Sequence, residues 1–242
     1  VVDIELVGVI VNGLGIALGT VFGLFFNKIN ERIKETIMAG IGLTVIALGF
    51  TMGLESDRTI VILLSLLFGA VIGEGIDLDE KLNRVGAHLE VRFKKEGKES
   101  NIAEGFVTAS LIFCVGALAV IGPLDSGIHG NHEILYTKSI LDGFTALVLT
   151  TTLGFGVIFS LIPVVIYEGV IALFATQIDQ FFPESFFNLF IEDMTATGGL
   201  LIVAIGLNLL NVTRIRVANL LPSLVIVGFV LFIYLQVPNW FS

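Results

Sequence analysis

The chain has 242 residues, of which 55% are hydrophobic and only 14% charged, and its mean hydropathy is +0.96. That composition lies outside the range of soluble globular domains and describes an integral membrane protein. The formal net charge of −9 is spread over the whole chain, so nucleic-acid binding has no support.

A helix needs roughly 18 or more apolar residues to cross a hydrocarbon core about 30 Å thick. In chain order such runs fall at 5–26, 36–54, 59–76, 102–121, 139–161, 163–180, 194–211 and 214–236. Alternation of apolar and polar residues over ~10-residue segments, the mark of a β-barrel, is missing. The expected fold is therefore all-α, a polytopic bundle of about eight transmembrane helices in a single transmembrane domain. The run 139–180 is nearly continuous and only Pro163 marks a break in it, so seven spans is the alternative count. Acids, not bases, precede the first run, which reads as a span and not as a cleaved leader.

Span 1 carries Asn12 and then Gly15, Gly19 and Gly23, spaced by four as helix-packing residues are. Span 3 ends on Glu74, at a helix end where the dipole does not favour an acid. The segment 78–101 repeats Leu78, Leu82, Val85, Leu89 and Phe93 at helical spacing, an amphipathic helix for the membrane surface or a partner. Span 4 holds Cys114, the lone cysteine, which excludes an intrachain disulfide. The connection after it contains Asp125, His129, His132 and Glu133, a weak zinc signal in a Gly-rich setting that reads better as a solvated loop. Glu104 and Asp142 begin spans 4 and 5, where the helix dipole suffices to explain them unless they are buried. Thr150, Thr151 and Thr152 in span 5 cannot all face one way, and Thr151 could line a path. Span 6 carries Glu168 inside an apolar run. The 180s, with Phe181, Phe182, Phe186, Phe187 and Phe190, look interfacial. Gly198 and Gly199 in span 7 and Gly40 and Gly42 in span 2 suggest either close helix packing or discontinuous helices; Asn208 and Asn211 lie near the end of span 7.

Of the 13 basic residues, Lys28, Arg32 and Lys34 follow span 1, Lys81, Arg84, Arg92, Lys94, Lys95 and Lys98 follow span 3, and Arg214 and Arg216 follow span 7. Only Arg58 and Lys138 fall in the other connections. With eight spans, the basic-rich side is cytoplasmic and both termini are extracytoplasmic.

The chain also repeats. "AGIGLTVIALG" at 39–49 matches "ATGGLLIVAIG" at 196–206, "LLSLL" at 63–67 falls on "LLPSL" at 220–224, and "VNGLGIAL" at 11–18 falls on "YEGVIAL" at 167–173. Spans 1–3 (5–77) thus resemble spans 6–8 (163–236), with 78–101 and the central spans 102–161 between them. A smaller echo links "EGFVTA" at 104–109 with "DGFTAL" at 142–147. Two intervening spans make the repeat inverted, a pattern common in transporters.

Asn12 and Glu168 are matched by the repeat and each is followed by glycine, as a central polar site between two halves would require. An ionised acid at the bilayer centre costs at least ~2.5 kcal/mol and normally faces protein or water. The reading is a secondary transporter or ion-coupled carrier of a small solute or ion. Glu168 would bind a coupling cation, proton or sodium, and Asn12 would orient the ligand, with Glu74, Thr151 and Asn208 as further candidates. A channel, or a scaffold or sensor acting through 78–101, remains open, as does a homodimer. No dinucleotide fingerprint, Walker loop, GxSxG or HExxH motif occurs, so neither enzyme activity nor another cofactor is expected.

The stretches "IAEGFVTASLIFCVGALAVIG", "LYTKSILDGFTALVLTTTLGFGV", "MTATGGLLIVAIGLNLL" and "RVANLLPSL" together resemble the YqgA-like membrane proteins, the family labelled domain of unknown function 554. The resemblance implies a prokaryotic inner-membrane protein, a transporter class at most, and carries over no catalytic residue.

Overall fold

A computed structural model describes residues 5–25, 31–93 and 102–240. Lys28, Lys94, Lys95 and Lys98, and the 78–101 segment from residue 94 onward, lie outside the described residues.

All regular structure among the described residues is helical. The helices are α1 (Val7–Phe25), α2 (Glu31–Gly53), α3 (Thr59–Ile76), α4 (Leu78–Phe93), α5 (Ile102–Cys114), α6 (Leu118–His129), α7 (Glu133–Leu153), α8 (Leu161–Leu173), α9 (Ala175–Phe181), α10 (Glu184–Leu209) and α11 (Ser223–Trp240). Short 3-10 turns occupy Gly154–Ser160 and Val217–Leu220. Six helical segments are long and apolar enough to cross a membrane, and counting the bent pair α5 and α6 as one span makes seven. The protein is a polytopic helical membrane protein.

Several boundaries differ from the hydropathy pattern. α7 starts at Glu133 and α10 at Glu184, because polar residues such as Lys138 and Asp193 are buried inside these helices and do not end them. The expected loop holding Asp125 and His129 belongs to α6. The break near Pro163 comes earlier, at Gly154, whose φ of +74° suits glycine. Pro163 itself sits in the first turn of α8, where its missing N–H costs nothing.

The described parts of Val1–Ile41, Leu82–Cys114 and Leu118–Phe181 form one compact unit; those of Gly42–Lys81, Val115–Ala117 and Phe182–Ser242 form a second. In the first unit α1 and α7 run parallel in close contact. A Cβ on Gly15, Gly19 or Gly23 would fall on Ser139, Gly143 or Leu147 respectively, so both numbers rise together along the seam. The glycine stripe lets the backbones approach, and the Ser139 hydroxyl donates to the Val11 carbonyl at 2.8 Å.

α7 and α8 form a hairpin. Thirty residues of straight helix would separate Lys138 from Glu168 by about 45 Å, yet the Lys138 Nζ lies 3.3 Å from the Glu168 Oε1. The chain reverses at the 3-10 turn, against which α5 packs: a Cβ on Gly156 would meet Ile102. α5 and α6 are bent by 60°, and Gly116 at the break has a φ of +116°. α4 docks on the same end, Gly86 on Ala103 and the Phe93 ring 5.0 Å from that of Phe159. The amphipathic helix therefore forms, with Val85 and Val91 left exposed.

In the second unit α2 crosses α10 antiparallel on four glycines. Gly42 abuts Gly206, and Gly49 abuts Gly199. α3 crosses the 3-10 turn Val217–Leu220 and the start of α11 in the same sense, Gly73 on Asn219 and Gly69 on Ser223. Gly42, Gly49, Gly199 and Gly206 are thus packing positions in continuous helices, whereas a Cβ on Gly40 would enter open space. The helix that is interrupted is the α5–α6 pair, which hydropathy read as a single span.

A methyl group at Gly19 has no room, whereas Gly75 faces open space. Gly19→Ala is expected to lower stability by about 1–3 kcal/mol, and Gly75→Ala to leave it within about 0.5 kcal/mol; unfolding curves in detergent distinguish the two.

Candidate functional site

Four side chains meet inside the first unit. Asn12 on α1 and Glu168 on α8 are 0% exposed, Lys138 on α7 is 4% and Asp142, one turn further along α7, is 9%. The Asn12 Nδ2 donates to the Glu168 Oε1 and Oε2 at 2.9 and 3.1 Å, and to the Asp142 Oδ2 at 3.2 Å. Lys138 pairs with Asp142 as an i,i+4 neighbour, and its Nζ also reaches Glu168. The third acceptor of the ammonium is the Phe113 carbonyl at 3.0 Å. That carbonyl is available because α5 ends at Cys114: the last carbonyls of a helix have no partner within it. The helix break thus supplies an oxygen to the charged cluster.

Each member has a local reason to be there. Gly13 and Gly169 adjoin Asn12 and Glu168 and hold no side chain of their own between the helices; a Cβ on Gly13 would meet Val165. The α1–α7 glycine seam brings Asn12 level with Asp142. The hairpin at 154–160 brings Glu168 level with both. The Asn12 Oδ1 is buried without a hydrogen-bond partner, which is unusual for a buried polar atom.

Asn12 and Glu168, singled out from the sequence, are in direct contact; the remaining candidates have other partners. Glu74 pairs with Arg216 at 2.8 Å, half-exposed. The Thr151 hydroxyl returns to the Val148 carbonyl of its own helix, and Thr150 and Thr152 bond their preceding turns likewise. Asn208 pins the turn after α10, donating to the Ile215 carbonyl and accepting from Thr213 and the Ile215 N–H. Asp142 is buried in the tenth position of α7, so the helix dipole does not account for it. Lys138, which the sequence places in a connection, is inside the membrane helix; its i,i+4 spacing to Asp142 was the available signal.

A third buried acid escaped sequence reading. Asp193 on α10 is 0% exposed. It accepts from the Ser56 hydroxyl at 2.5 Å and from the Arg58 Nε at 3.0 Å. Arg58 also bonds Glu192 and the Leu189 carbonyl. Burial works against the Arg58 charge, but its bonds to Asp193 and Glu192 outweigh that and hold its pKa above the ordinary value. These bonds fasten the α2–α3 turn to α10. At the histidines, His129 bonds Asp125 at 2.8 Å, Asn131 donates to Asp125, and Ser126 meets His132. Among the described residues no three His, Cys, Asp or Glu side chains gather as a metal site.

Polytopic helices enclosing a buried lysine, two carboxylates and an amide define a membrane protein with a charged interior site. The chain belongs to the family described as "Protein of unknown function (DUF554)", which it matches over residues 7–232. It is 34% identical over 231 residues to "Uncharacterized membrane protein YdfK" of Bacillus subtilis (strain 168), covering 93% of this chain and 96% of that protein. It is 30% identical over 225 residues to "Uncharacterized protein YqgA" of Escherichia coli (strain K12), covering 91% and 94%. No solved structure matches it.

Arg58→Met leaves Asp193 buried beside one hydroxyl, with an expected cost of about 3 kcal/mol. Adding Asp193→Asn should recover part of that loss, read as the unfolding temperature of the double variant against the single.

Proposed function

We propose that this protein is a secondary transporter, an ion-coupled carrier of a small solute or ion whose site is formed by Asn12, Lys138, Asp142 and Glu168. The observation that carries the reading is the direct bond between Asn12 and Glu168, the two polar positions that the internal repeat matches. Charged groups inside membrane helices are costly and mark ion or substrate pathways. A helix broken at the site, offering the Phe113 carbonyl, is a recurrent feature of carriers. The near-complete burial of all four side chains favours a site that is occluded and then exposed over one that is continuously wet, as a channel would need.

An inverted repeat fits the packing. Gly42 and Gly49 are the repeat counterparts of Gly199 and Gly206, and the contacts are reciprocal: Gly42 on Gly206, Gly49 on Gly199. Such an exchange is the signature of a two-fold axis. Helix directions support eight passes. If α5–α6 is one bent pass and the α7–α8 hairpin is two, α1 and α7 are passes one and five, parallel as observed. α2 and α10 are then two and seven, antiparallel as observed. On that count the basic-rich connections face the cytoplasm of a prokaryotic inner membrane and both termini face outward.

In proteoliposomes the wild-type protein is expected to show saturable, counterflow-competent flux, and Glu168→Gln to abolish it while retaining the wild-type elution profile and helicity. Unaltered flux in that variant would remove Glu168 from the mechanism, and flux that never saturates would mean a channel.

A further inference from the structure

Resting on the carrier reading of the same site, we propose that the Asn12–Lys138–Asp142–Glu168 cluster binds one monovalent cation, and that Lys138 is the positioning residue that fixes this valence. The cluster contains two carboxylates and one ammonium. Lys138 is paired to Asp142 one turn away on the same helix and held in place by the Phe113 carbonyl, so one acid is already neutralised by a charge the chain itself carries. Glu168 is then the acid without a dedicated counter-charge: the Lys138 Nζ reaches it only as a second partner at 3.3 Å. With both acids ionised the site lacks one positive charge, and leaving a net charge enclosed among apolar helices is strongly unfavourable.

The second observation is independent of the charge count. The Asn12 amide has its nitrogen on both carboxylates, and its oxygen is fully buried with no partner. A buried amide oxygen beside a carboxylate deficient in positive charge is a hard-oxygen ligand pair, the type that takes alkali cations in preference to soft metals. The remaining titratable neighbours are the Cys114 thiol at the end of α5, which lies within electrostatic range of Lys138, Asp142 and Glu168, and Tyr167 beside Glu168 on α8. Neither is a second ammonium or guanidinium. Two carboxylates sharing one lysine leave room in the charge balance for a single unit of positive charge and not for two.

The valence follows from arithmetic that substitutions can change. Glu168→Gln leaves no deficit, Lys138→Met leaves a deficit of two, and Lys138→Met with Asp142→Asn returns it to one. The test is thermal unfolding of purified protein at fixed, mildly alkaline pH in LiCl, NaCl or KCl, with choline chloride at equal ionic strength as the control, and in MgCl2 or CaCl2. The wild type is expected to show a saturable rise with at least one alkali chloride beyond that given by choline, and Glu168→Gln to lose it. Lys138→Met should respond to divalent ions at roughly tenfold or lower concentration than the wild type does. Lys138→Met/Asp142→Asn, which carries a single unpaired acid, should unfold at a higher temperature than Lys138→Met and should regain the alkali response. A wild type indifferent to every alkali cation overturns the cation site and leaves a proton as the only occupant. An alkali response that survives in Glu168→Gln also overturns it. A double variant that prefers divalent ions overturns the role of Lys138. Saturable flux without any alkali response would keep the carrier and sink this assignment; an alkali response without flux of any solute would keep the cation site and sink the carrier.

Discussion

A charge can be enclosed among apolar helices only if its counter-charge and its hydrogen-bond partners are enclosed with it. In this protein that constraint acts on one point, where the Lys138 ammonium, the Asp142 and Glu168 carboxylates and the Asn12 amide come together. Four helices supply the groups: α1 gives Asn12, α5 gives the Phe113 carbonyl, α7 gives Lys138 and Asp142, and α8 gives Glu168. Moving any of these helices away would strand a charge in the apolar interior. The glycine seam between α1 and α7, the reversal at 154–160 and the end of α5 at Cys114 are all needed to let the four groups meet.

The site and the glycine crossing both join positions that the sequence repeat matches. Asn12 and Glu168 are repeat-matched and bond each other; Gly42, Gly49, Gly199 and Gly206 are repeat-matched and exchange contacts. In one compact unit the matched positions carry polar groups and in the other they carry glycines. On the carrier reading the first arrangement is the place for a ligand. The second creates a tight crossing with no polar side chain at its centre. The carrier reading assigns binding to the first unit, with the Ser56–Arg58–Asp193 tie in the second holding a helix turn in place.

Much of the architecture was legible in the sequence because hydropathy reports directly on lipid contact. α1 and α3 coincide closely with their apolar runs. Where a polar residue is buried inside a helix, hydropathy fails: it starts α7 and α10 too late, since Lys138 and Asp193 look like loop residues until their partners are known. Those partners are 30 and 137 positions away, Glu168 for Lys138 and Ser56 for Asp193, and no local pattern announces contacts at such separations. Glu168 was found as an acid inside an apolar run, and Asn12 because the repeat pairs it with Glu168. Glu74, Thr151 and Asn208 were attractive as isolated polar residues in apolar surroundings, and each is instead satisfied locally by Arg216, the preceding turn or the Ile215 backbone. The break at Gly116 lies in an uninterrupted apolar stretch, where one glycine among 27 in the chain gives no distinctive signal.

The central claim is that Lys138 and Glu168 belong to one mutually dependent charge cluster, and a double-mutant cycle on unfolding free energy tests it most directly. Lys138→Met alone encloses two uncompensated carboxylates and should cost about 3–5 kcal/mol. Removing the Glu168 charge in the same protein should return a substantial part of that loss, so that the double variant is more stable than Lys138→Met by itself. Strictly additive effects would mean that the two side chains do not share an environment, and the account of the site would be wrong.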